Sequence, residues 1–151
     1  MAGVTLPWLV VIDDLDELRS LTEEILAKLD RWPPVLHTLP VVRALAAAGE
    51  TQLLARTIEA IRKTDASANA HTAVLAGEGL LSLLQGRAGE AAEQLEAAVG
   101  RDRELGHRYD AACLELSVAR ALEAAGQEAA AQKAQGRAAA VLEPLGCVNP
   151  F

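Results

Sequence analysis

The stretch LLQGRAGEAAEQLEAAV, residues 83–99, decides how the chain is built. Gly86 interrupts a run of helix-forming residues. Ala91, Leu95 and Ala98 follow it at five, nine and twelve residues, which keeps them on one helical face. The same frame fits two other glycines. After Gly49 come Leu54, Ile58 and Ile61; after Gly126 come Ala131, Gln135 and Ala138, with Gln135 the one polar exception. Gly49, Gly86 and Gly126 stand 37 and 40 residues apart. This reads as a helix, a tight turn and a second helix, used three times. Glycine ends the first helix of each pair because it takes a left-handed backbone without a Cβ clash. Glu50, Glu90 and Glu128 then fall near the start of the second helix, where the helix dipole favours negative charge.

Working outward, the periodicity predicts helices over 13–30, 35–48, 50–64, 69–85, 88–104, 108–125 and 127–143. The expected fold class is all-α: antiparallel helix hairpins at about 35–64, 69–104 and 108–143, stacked in one domain. One hairpin cannot bury its apolar face alone, so neighbouring hairpins share a continuous core. Residues 1–34 read as a truncated or capping helix unit and 144–151 as a tail. Leu15, Leu18, Leu21, Ile25 and Leu29 give the first helix its apolar stripe, and VTLPWLVVI before it looks like the stub of another. That pattern suggests the C-terminal piece of something longer; a natural N-terminal cap is the alternative.

Composition narrows the function. Hydrophobic residues are 51% of the 151 and charged ones 23%, a globular balance. Alanine dominates and aromatics are only 3%, so helices must lie close together on small side chains. A net charge of −7 repels phosphate backbones, and no Lys/Arg stripe offsets it, so direct nucleic-acid binding is not expected. The apolar start lacks a basic region and is too short to span a bilayer, which predicts a cytoplasmic protein with no membrane partner. Cys113 and Cys147 form no CxxC pair and read as thiols in a reducing compartment, although spacing alone leaves a disulfide open.

Gly79, Gly86, Ala91, Leu95 and Ala98 match the small–turn–small–large–small pattern of a tetratricopeptide repeat (TPR). Ala119, Gly126, Ala131 and Ala138 repeat it, and Gly49, Ile58 and Ile61 match in part. The resemblance covers about residues 35–143 and implies a right-handed TPR-like α-solenoid. It departs from the family in longer units, in Arg103 where a closing proline is usual, and in Leu or Ala where large aromatics are usual. Ala76 and Gly77 replace the Lys and Asn of the family's peptide-carboxylate clamp, so that ligand mode is not implied. RDRELGHRYDAACLELSVARALEAAGQ resembles the C-terminal repeat regions of large bacterial signalling and transcriptional regulators, which implies a sensing or interaction role.

Chemical constellations are sparse. WLVVIDDLDEL imitates the strand and paired acids of P-loop ATPases, but no Gly-Lys pair exists to cradle phosphates; Asp13 and Asp14 read instead as a helix start. His37, His71 and His107 sit at different heights relative to the turn glycines, and Glu104 to His107 is an isolated ExxH string. No nucleophile motif surrounds Cys113, which reads as a small core residue, and Glu90, Glu93 and Glu96 read as a solvated face. Catalytic residues, metal ligands and cofactors are therefore not expected. The turn glycines are Gly49, Gly86 and Gly126. The candidate partner-binding face, lined by first helices, is Ala73, Ala76, Leu80, Leu83, Leu84, Leu116, Arg120 and Glu123. The expected function is a non-catalytic module that holds a protein or peptide, such as another domain of a parent chain. The alternatives are a small-molecule sensor controlling an output domain and a dimerisation element.

Overall fold

The computed structural model describes residues 14–28, 38–64 and 67–146. Among these, every regular element is helical: α1 Leu15–Lys28, α2 Thr38–Ala47, α3 Thr51–Thr64, α4 Ala68–Leu84, α5 Ala88–Glu104, α6 Arg108–Ala124 and α7 Glu128–Leu142, then a 3₁₀ turn Glu143–Leu145. The VTLPWLVVI stub, Asp13, Leu29, His37 and Cys147 lie outside the described residues. No helix among the described residues is long and apolar enough to cross a membrane. The chain forms two compact units, Met1–Gly77 and Glu78–Phe151, with the boundary inside α4.

In the first unit, Asp14 caps α1 by accepting from the Glu17 amide at 3.2 Å. Leu18, Val42, Leu45, Leu54 and Ile61 are fully buried. Two buried threonines are satisfied locally: Thr22 Oγ1 donates to the Leu18 carbonyl at 2.7 Å and Thr57 Oγ1 to the Leu53 carbonyl at 2.8 Å. Gly77 provides a notch for Ile58, whose Cγ1 would stand 2.7 Å from a Cβ added there.

The second unit is more regular than the glycine frame at 49, 86 and 126 predicts. Helices α4 to α7 begin at residues 68, 88, 108 and 128, a step of 20 residues. Gly86, Gly106, Gly126 and Gly146 keep the same step, and all four are left-handed, with φ between 66° and 80°. The first three turns are the same object. The glycine amide donates to the carbonyl three residues back, and the next amide to the carbonyl five back: Arg87 to Ser82, His107 to Asp102 and Gln127 to Leu122, at 2.8–2.9 Å. The residue after each glycine has nearly the same backbone (φ/ψ −89°/64°, −81°/65° and −99°/58°) and starts the next helix without a side-chain cap. ELGHRYD is therefore not a distinct linker between hairpins but one more copy of the turn. Gly79 lies under Leu95, whose Cγ would stand 2.7 Å from an added Cβ, so α4 and α5 approach where the sequence pattern places its small and large residues. The seam of α6 and α7 is built from Ala112, Cys113, Ala138 and Leu142, with Leu116 and Val141 packed against it. Cys113 is thus a core residue.

Candidate functional site

The structure redistributes the predicted partner-binding face. Ala73 and Ala76 have no exposed surface and Leu80 is buried, so these three are core and cannot meet a partner; on helices this rich in alanine the enclosed face is wide. Leu116 is half-buried against the α6–α7 seam rather than turned to a groove. Leu83 is half-buried, while Leu84, Arg120 and Glu123 are exposed. The Glu123 carboxylate accepts from Gln135 Nε2 at 2.6 Å, which explains the polar exception in the repeat: Gln135 faces outward and ties α7 to α6.

A different surface gathers the second unit's exposed apolar groups. The start of α6 (Gly106, His107, Arg108, Tyr109, Asp110) and the end of α7 with its 3₁₀ turn (Ala140, Val141, Pro144, Leu145) line a groove of about 590 Å³. It lies open to solvent, with Tyr109 43% and Leu145 60% exposed. Tyr109 is the chain's single tyrosine. The groove forms because α6 and α7 run antiparallel, so the Gly106 turn and the α7 terminus come together at one end. His107 borders it with its ring fixed from behind, Nδ1 lying 3.2 Å from Oδ1 of the buried Asp102. The ExxH reading thus fails on geometry: the acid that orients His107 is Asp102, and Glu104 is exposed. Arg108 is exposed and makes no ion pair among the described residues.

Below this end lies a buried ion cluster. Glu115, 2% exposed, occupies the α6 position that Leu95 holds in α5, one 20-residue step earlier. Arg137 of α7 donates through Nε to both carboxylate oxygens at 2.9 Å, and its Nη2 lies 2.7 Å from Oε2. Arg103 of α5 donates through Nη2 to Oε1. One carboxylate thereby joins three consecutive helices. Its hydrogen bonds hold the Arg137 guanidinium above the ordinary arginine range; burial opposes this, and the charges of Glu115 and Glu96 add to it. Arg103, read from sequence as a departure from the repeat, is half of this clamp. The cluster is structural rather than catalytic in form, since both cations are spent on one buried anion.

Among the described residues no three His, Cys, Asp or Glu side chains gather as a metal site. No family model, no curated protein and no solved structure matches the chain.

Proposed function

We propose that the chain is a TPR-like helical-repeat module, stacked as a right-handed α-solenoid, that holds a protein or peptide partner without transforming it. The observation that carries this reading is the uniform 20-residue step of α4 to α7, ending in an open groove with Tyr109 and Leu145 exposed. Repeats of this kind present extended surfaces, and exposed aromatic and aliphatic groups in a groove are the usual anchors for a bound helix. The openness of the groove favours a peptide over an enclosed metabolite. A role as the interaction region of a bacterial regulator is the finer form of the proposal.

The test is peptide display on the immobilised 151-residue chain, followed by calorimetry on the enriched sequences. The expected result is a family of peptides with a shared apolar face and saturable one-to-one binding. A folded chain that enriches no such family would sink the reading.

A further inference from the structure

We propose that the groove at the α6–α7 end is the seat for one more helix of the series, supplied by a partner protein, with an acid in its first turn and a base at mid-helix. This rests on the partner-binding reading above and names the partner's chemistry. The 20-residue step supplies the geometric argument. Gly86, Gly106 and Gly126 each launch a helix that packs on the one before, and Gly146 has the same left-handed backbone at the same phase, its amide donating to the Glu143 carbonyl at 2.9 Å. The α5–α6 interface is thus the template for what would lie on α7: the relation of α5 to α6 recurs between α7 and the incoming helix.

Charge fixes the partner's pattern. Helices α5, α6 and α7 each carry an acid in the first turn: Glu90, Asp110 and Glu128. An incoming helix at the next phase starts beside the α6 N-terminus, where Arg108 lines the groove without an ion pair among the described residues. A first-turn acid would supply that partner. At mid-helix the polarity reverses. In the α5–α6 pair, Arg103 of α5 meets Glu115 of α6. Two steps on, the place of Arg103 is taken by the exposed Glu143, which also has no ion pair among the described residues. The incoming helix should therefore carry a base where α6 carries Glu115. The contact itself is apolar, against Ala140, Val141, Leu145 and the Tyr109 ring.

The probe is a stapled peptide with the sequence of residues 108–124 carrying Glu115→Arg, so that Asp110 supplies the first-turn acid. The reporter is the full chain labelled with fluorotyrosine, which places one ¹⁹F nucleus in the groove because Tyr109 is the only tyrosine. The expected result is a saturable shift of that resonance, with affinity falling about tenfold when the peptide keeps Glu115 and about tenfold in the chain variant Leu145→Glu. The chain variant Glu143→Arg should invert the preference, binding the Glu115 peptide better than its Arg form. These chain sites are exposed, and circular dichroism confirms that each variant is folded. No saturable shift, or a preference that Glu143→Arg leaves unchanged, overturns the proposal. A resonance that moves with chain concentration alone, with dimer mass in sedimentation, overturns it in favour of self-association. Display peptides whose binding ignores Leu145→Glu would remove this seat while leaving the partner-binding reading intact.

Discussion

In the first unit, α3 buries Leu53, Leu54, Thr57, Ile58 and Ile61; in the second, α7 buries Ala131, Ala134, Ala138 and Leu142. Both faces follow helical spacing, yet they fill a seam in opposite ways. Branched and long side chains interlock across a gap and can accommodate helices of unequal length, as α2 with 10 residues and α3 with 14 show. An alanine face has little to interlock. It gains contact only when backbones come close along the whole seam, which needs helices of like length and turns of one geometry. The second unit meets that need with helices of 17, 17 and 15 residues and repeated glycine turns.

The comparison breaks if the units respond alike to a change of side-chain size. Leu54→Ala removes a fully buried side chain from the first unit and should cost about 3 kcal/mol, as a cavity does when its lining cannot collapse. Ala134→Leu does the reverse in the second unit, forcing bulk between α6 and α7, and should cost about 1–3 kcal/mol through displaced helices. Denaturant unfolding of each variant measures both. A neutral Ala134→Leu would mean that the alanine seam has slack and that regular turns are not what it requires.

Charge sharpens the contrast at the next level of energy. The first unit's cross-helix pairs, Arg56 with Glu23 and Arg19 with Glu50, involve arginines at least half exposed, whereas the second unit encloses one carboxylate between two arginines. Removing one member of a buried pair is worse than replacing the buried ion by an apolar group that fits. Arg137→Ala leaves buried Glu115 with Arg103 alone and should cost about 2–3 kcal/mol. Glu115→Leu should cost less than about 1 kcal/mol, because Leu95 fills that position one step earlier and both freed arginines are half exposed and can reach water. Equal losses in thermal melts would show that the cluster does something no packed leucine can, such as fixing the register of α5, α6 and α7.

The sequence made the helices legible because alanine and glycine do different things at fixed offsets. Gly86 and Gly126 announced their turns, and Gly79 with Leu95 announced a contact. The 20-residue step stayed hidden because Gly106 sits among Glu104, His107, Arg108 and Asp110, and that polarity reads as a linker; aligning Gly106 under Gly86 exposes it. The same alignment places Glu115 under Leu95, the signal that a carboxylate had entered a core position. The partner-binding face was the least legible part. A face of alanines serves equally as a core seam or as a concave lining, and burial alone separates Ala73 and Ala76 from Leu84. The groove at Tyr109 joins residues about 35 apart in sequence, a juxtaposition that follows from the antiparallel α6–α7 pair and from no local motif.

The smallest expected effect concerns acid. Hydrogen bonds from Arg56, at 2.7 and 3.0 Å, lower the Glu23 pKa from 4.5; burial opposes this, and the Arg56 charge adds to it. Lys63 and Arg62 lower Glu59 in the same direction. A carboxyl whose folded pKa is depressed contributes stability that is present above its unfolded value near 4.5 and is lost as the pH falls through the folded value. The first unit should therefore soften on acidification below pH 4.5, and Glu23→Gln should lower its stability at neutral pH while flattening part of that acid limb. Because Glu23 and Arg56 are exposed, molar salt should erase the difference between wild type and variant. Melting curves across acid pH at low and high salt provide the measurement. An acid limb that is the same in Glu23→Gln at low salt would mean that the pair fastens nothing, leaving apolar burial as what joins α1 to α3. The contrast between the units would then lie in side-chain size alone.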